Sequence, residues 1–230
     1  MKNVVCISNL NNIITSTYSL RSWELWCSKH NIELLVLDQN ITNNPEIDKF
    51  FIFDLLDNEN INYNQILLTN NLTIVNPNTP NIFNITDNKI SGVMYDSSYK
   101  EIINSIQGYS NQYFENFMFP YWEFINTTLL VINNSHKDLF TEIKNFYLNN
   151  NQGHNLYSNV DLSHVYFNFL KYKNNTKFKI LPYEWNMHDM VRKESLNNLL
   201  FTEIGWVYNF DFLPQYRQQL MEQTFKKIYK

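Results

Sequence analysis

Apolar and polar positions alternate along the chain with two periods. Asn3 to Ser8 (NVVCIS) is a short, nearly continuous apolar run, the pattern of a strand buried on both faces. Leu20, Trp23 and Cys27 then recur at helical spacing, and Lys29, His30 and Asn31 close that helix with polar residues. Ile32 to Asp38 (IELLVLD) predicts a second buried strand. Ile47, Phe50, Phe51 and Leu55 mark a helix entered through Pro45, and Gln65 to Thr69 (QILLT) predicts a third strand. The first 70 residues therefore read β-α-β-α-β, which favours a parallel sheet with helices on its faces.

Further along, the turn-rich Asn76 to Asn84 (NPNTPNIFN) connects to predicted strands at Ile90 to Tyr95 and Phe124 to Ile132. Ser135 is placed to cap a helix carrying Leu139, Ile143 and Phe146. Asp161 precedes another, with Leu162, Val165 and Phe169 on one face. Strands are predicted at Lys177 to Leu181 and Trp206 to Phe210, and Pro214 opens a last helix. No repeat or linker divides the chain, so residues 1–230 read as a single α/β domain with a mixed, mainly parallel sheet.

Composition narrows the function classes. With 18 basic and 22 acidic side chains the net charge is -4, which disfavours a nucleic-acid partner. Two cysteines, Cys6 and Cys27, build neither a disulfide framework nor a four-ligand zinc site of their own. No run of about 18 apolar residues predicts a membrane span, and the expectation is a soluble, cytoplasmic protein. The 38 asparagines and absence of alanine point to an AT-rich genome, such as that of a large virus (the host cytoplasm would then be the location) or a reduced parasite. Because the first glycine is Gly92, no glycine-rich phosphate cradle follows the first strand. Any nucleotide must be held in another way, commonly through a divalent cation.

Residues 65 to 83 (QILLTNNLTIVNPNTPNIF) resemble a segment of the nucleotide-sugar glycosyltransferases with the GT-A fold, a Rossmann-like architecture. There an apolar strand ends in Asp-x-Asp and continues through Thr-Ile-Val to a Pro-Asn-Ile-Phe turn. Ser19 to His30 is similar to that family's first helix. Phe124 to Asn134 (FINTTLLVINN) is similar to its strand with an Asn-x-Gly turn, and Trp206 to Phe210 (WVYNF) to its Tyr-His-Phe segment. The resemblance implies a nucleotide-binding half at about 1–95 and an acceptor-side half at about 96–230. It implies that base and ribose rest near Ser8 and Asn9, the diphosphate near Asn70, Asn71 and Leu72, with Asn126, His188 and Asn209 at the same site. Asp161 aligns with an acidic residue near the sugar and is the candidate catalytic carboxylate.

The departures carry equal weight. The two aspartates fall on Asn70 and Leu72, the metal-binding histidine on Asn209, and the turn glycine on Thr128. Manganese and magnesium require oxygen ligands, mostly carboxylates, and these positions supply none. The expectation is no cofactor, with Mn2+ or Mg2+ held only where Asp96 or Asp211 compensates. Transfer of a hexose from a nucleoside-diphosphate sugar to an acceptor hydroxyl is then weak, metal-independent or absent. The alternative is a non-catalytic relative that binds a glycan, a nucleotide or a partner glycosyltransferase.

Overall fold

Val4 to Ile7 are wholly buried, as the apolar run requires, and form the middle of strand β1 (Lys2–Ser8). The computed structural model describes residues 1–9, 16–42, 45–95, 97–150, 160–187, 204–211 and 214–230. Helix α1 (Ser16–His30) leads to β2 (Glu33–Leu37). Two short helices, α2 (Pro45–Asp48) and α3 (Ile52–Asn58), are joined by a 3-10 turn at Lys49–Phe51 and lead to β3 (Tyr63–Asn70). The tighter turn rotates the buried face. Ile52, Phe53 and Leu56 enter the core beyond it, while the expected Phe51 and Leu55 stay half-buried.

Next come β4 (Thr73–Val75), β5 (Ile90–Met94), α4 (Tyr99–Tyr113) and β6 (Ile125–Asn133). They are followed by α5 (Lys137–Asn149), α6 (Leu162–Lys173), β7 (Phe178–Leu181), β8 (Val207–Asn209) and α7 (Arg217–Ile228). The main sheet has the order β2-β1-β3-β6-β5-β7, and β4 pairs with β8 in a small second sheet. β6 runs antiparallel to both neighbours; the other pairings in the main sheet are parallel.

Period-two alternation sorts the two faces. Val5, Ile7, Leu67, Leu129 and Val131 pack with Trp23, Trp26 and Cys27 of α1. Cys6, Ile66, Leu68, Leu130 and Ile132 face the opposite layer of α3 to α6. Trp23 and Trp26 are core residues, as their spacing suggests, and both also bond to the stretch after β3. The Trp23 indole donates to Thr73 Oγ1 (3.0 Å) and that of Trp26 to the Thr79 carbonyl (3.0 Å).

Two local expectations are corrected. The helical turn after β6 is capped by Asn133, whose side chain accepts from the Ser135 amide, and not by Ser135 itself. His136 closes this cap by accepting from the Asn133 amide (3.0 Å) through Nδ1. The final helix begins at Arg217, after a turn at residues 214–216.

Burial pushes the His136 ring down to about 4 from its ordinary 6.5. Between those values the unfolded chain binds a proton that the folded chain refuses, so stability falls as pH drops through this window. Urea unfolding at pH 7 and pH 4.5 should show His136 contributing about 2–3 kcal/mol of acid destabilisation. The expected outcome is a smaller pH effect in His136→Asn; an equal one in both proteins would refute this assignment.

Candidate functional site

The connections around β1 prepare a crevice. β1 passes to β2 through α1 on one face, and β2 returns to β3 through α2 and α3 on the other. The connections thus change face around β1, and the carboxyl end beside such a switch point is the usual ligand position of open α/β sheets. Ser8 pairs with Asn70 at this end. The Asn71 amide donates to the Ser8 carbonyl (3.0 Å), and its side chain donates to Asn9 Oδ1 (2.8 Å), with both side chains buried. Ser8, Asn9, Asn70 and Asn71 thus meet in one corner, held by neutral groups.

The turn after β3 fixes the next residues. Asn70 Oδ1 accepts from the Leu72 amide (3.1 Å), and Thr73 Oγ1 donates to the Asn70 carbonyl (2.8 Å). Pairing of Thr73 with Asn209, and a bond from the Phe210 amide to the Leu72 carbonyl (2.8 Å), bring the distant β8 alongside. Asn209 is fully buried. Its amide nitrogen donates to Thr128 Oγ1 (3.2 Å) and Asn186 Oδ1 (3.1 Å), and its oxygen accepts from the Asp211 amide (3.0 Å). Thr128 in turn donates to Asn126 Oδ1 (2.7 Å). Asn126, Thr128, Asn186 and Asn209 therefore form one closed network with donors matched to acceptors.

On the opposite face of β6, Lys49 Nζ donates to Thr127 Oγ1 (3.0 Å), which lies 2.7 Å from His164 Nδ1. That nitrogen also accepts from the Thr127 amide (3.2 Å), so the His164 ring proton resides on Nε2. Lys49 is buried and brings positive charge to the carboxyl end of the sheet. Lys49, Thr127, His164 and Asn186 were not legible as site residues. Lys49 and His164 sit on helical faces that read as ordinary amphipathic pattern, and Asn186 is one asparagine among 38.

Asp161 caps α6, its carboxylate accepting from the Ser163 amide (2.6 Å). The Asp211 carboxylate is 3.6 Å from Arg217. His188 and Asp96 lie outside the described residues.

The donor set is a poor match for a hard divalent cation. Leu72 is buried and has no donor, and the side-chain oxygens of Asn70 and Asn209 each accept a backbone N–H. Among the described residues no three His, Cys, Asp or Glu side chains converge. A cavity of about 350 Å³ lined by Tyr113, Phe114, Phe146, Tyr166 and Phe169 opens at the far end of α4. Fourteen helical steps, about 21 Å, separate Tyr113 from the residue that opens α4, so this cavity is distinct from the crevice.

No family model and no curated protein matches the chain. Solved structures do. A glycosyltransferase involved in glycosylation of the major capsid of PBCV-1 superposes with a TM-score of 0.65 at 10% identity, over 96% of this chain and 100% of that one. The glycosyltransferase GlyE of Streptococcus pneumoniae TIGR4 gives 0.55 at 12% identity, over 99% of this chain and 62% of its own. Among the described residues no helix is long and apolar enough to cross a membrane. The chain has a mixed α/β fold of the kind found in these glycosyltransferases.

Proposed function

We propose that the crevice between β1 and β3 binds a nucleoside-diphosphate sugar without a divalent cation. The observation that carries this reading is the buried Asn9–Asn71 pair at the switch point, beside the neutral amide network of Asn126, Asn186 and Asn209. Amides and hydroxyls suit a base and ribose, whose recognition is hydrogen bonding without charge. The diphosphate needs a counter-charge, and Lys49 supplies it from the α2–α3 turn next to Thr127. Residues up to about 95 form the nucleotide half, and the later residues form the acceptor half. Without a metal to neutralise the leaving diphosphate, hexosyl transfer is slow.

A second reading, a non-catalytic binding protein, is favoured by Asp161. Its carboxylate is engaged as a helix cap. Radiolabelled transfer and hydrolysis assays with Asp161→Asn separate the two. Loss of a measurable turnover supports the enzyme, and no turnover in either protein supports the binder.

Calorimetry with nucleoside diphosphates and their hexose conjugates, in manganese and in EDTA, tests the binding. Dissociation constants between about 1 μM and 1 mM are expected, changed less than about fivefold by manganese, or about 1 kcal/mol. Lys49→Met should weaken binding at least about tenfold. Absence of binding in both buffers sinks the proposal. A large gain with manganese would show that carboxylates such as Asp96 or Asp211 hold a cation after all.

A further inference from the structure

Three exposed apolar side chains, Tyr99, Ile103 and Trp122, lie on α4 and the turn before β6, at the same end of the sheet as the proposed site. Tyr99 is 63% exposed at the start of α4, and Trp122 is 56% exposed in the 3-10 turn before β6. Tyr121 lies between them, its ring centroid 5.2 Å from Tyr99 and 5.1 Å from Trp122, with interplanar angles of 56° and 81°. Ile103, one turn after Tyr99, extends the patch along α4.

The patch is tied to the crevice by backbone. Met94 pairs with Ile125, and the Tyr95 amide donates to the Phe124 carbonyl (2.7 Å). Trp122 and Asn126 are only four chain steps apart, at most about 14 Å. The turn is also fixed from beneath. The Glu123 carbonyl accepts from buried Lys171 (2.6 Å), and its carboxylate accepts from Tyr172 Oη.

We propose that Tyr99, Tyr121 and Trp122 form a platform on which the pyranose rings of an acceptor glycan stack. This rests on the reading of the crevice as a sugar-nucleotide site. One face of a pyranose presents several C–H bonds of slight positive charge, which the negative face of an aromatic ring attracts. Rings tilted against one another offer successive sugars differently angled faces, as a bent oligosaccharide requires. A flat protein partner would not need them. Lys100, Glu101 and Glu123 give the surroundings mixed charge, which suits a neutral glycan better than an anionic membrane surface. Because the turn is already anchored, binding sacrifices little side-chain freedom.

Iodide quenching of tryptophan fluorescence tests this on the full chain. Trp23, Trp26 and Trp185 are buried and Trp206 is half-buried, so iodide reaches Trp122 foremost. The probes are maltopentaose, cellopentaose, chitopentaose and mannopentaose up to about 10 mM, with calorimetry in parallel. At least one should protect Trp122 and bind with a millimolar or lower dissociation constant. Trp122→Ala should weaken it at least tenfold and Tyr99→Ala at least threefold, with Trp122→Phe largely restoring it and nucleoside-diphosphate affinity unchanged throughout. Saccharide binding without nucleotide binding would uphold the platform while removing the proposed function. Nucleotide binding without any saccharide binding, or saccharide binding indifferent to both alanine variants, would overturn the platform. So would a dimer in sedimentation that Trp122→Ala dissolves, because the patch would then be occupied by a second copy.

Discussion

The variant Asn70→Asp, Leu72→Asp, Asn209→His is expected to lose about 5 kcal/mol of stability in EDTA and to recover part of it in manganese. Leu72 is buried, so an aspartate there either carries a desolvated charge or is held protonated, at a cost of several kcal/mol. Asn209 has no exposed surface, and a histidine in its place breaks the bonds to Thr128 and Asn186 and orphans the Asp211 amide. Each unsatisfied buried group costs about 1–3 kcal/mol. Asn70→Asp is nearly isosteric and keeps the acceptor for the Leu72 amide, so alone it should matter little. For a chain of this size the sum lowers the melting temperature by roughly 10–20 °C. The Thr73–Asn209 pairing and the bond from the Phe210 amide to the Leu72 carbonyl bring the three substituted positions into one neighbourhood. Manganese at about 100 times its dissociation constant would return about 2.7 kcal/mol. A variant as stable as the parent and blind to manganese would show that the three positions do not converge. One that is destabilised and equally blind would show that the corner is no latent cation site.

The strands that build the crevice were legible because apolar runs dominate them. Val4–Ile7 and Ile66–Leu68 lie buried in interior strands where the pattern puts them, whereas the expected buried strand at Leu34–Leu37 is an edge strand, only partly buried and with Val36 exposed, because β2 pairs on one side alone. Their parallel order follows from the intervening helices. The antiparallel direction of β6 was not legible, because a strand buried on both faces reads the same in either direction. Helix α4 was missed for another reason. Ile102, Ile106 and Tyr109 keep helical spacing and are buried, but Asn, Ser and Gly between them are weak helix formers. The strand at Thr73–Val75 was too short to stand out from the turn that follows.

The candidate site was legible only in part. Asn9, Asn70, Asn71 and Leu72 were named through the resemblance to a family whose strand ends in Asp-x-Asp. The partners that complete the network come from sequence distances of 58 and 81 residues, which no local pattern encodes. Aromatic abundance hid the surface cluster as well. Tyr99, Tyr121 and Trp122 are distinguished from the many buried rings only by exposure, a property of the folded surface.

Lys171 should make the protein more stable as pH rises from about 7 to 9, against the usual expectation for a lysine. Only 1% of this residue is exposed, and its Nζ donates to the Glu123 carbonyl over the rings of Phe178 and Tyr172, 3.8 and 4.7 Å from their centroids. Burial pushes the ammonium down to about 7 from its ordinary 10.5, with the Glu123 carboxylate working the other way. Between those values the unfolded chain holds a proton that the folded chain has released, so stability climbs with pH across the window. Below pH 7 both states are charged and the burial penalty is present in full. The climb amounts to about 1.4 kcal/mol per pH unit. Cys6 and Cys27, pushed up to about 12 by burial, oppose it above pH 9, so the comparison is confined to pH 7–9 and made against Lys171→Met. Over that range the stability difference should move about 2–3 kcal/mol in favour of the parent. Lys171→Arg, which cannot release its proton, should be less stable than the parent by an amount that grows over the same range. Parallel urea-unfolding curves for parent and Lys171→Met at pH 7, 8 and 9 would mean that Nζ stays charged in the fold. Lys171 would then anchor the turn beneath Trp122 as an ammonium, through its bond to the Glu123 carbonyl.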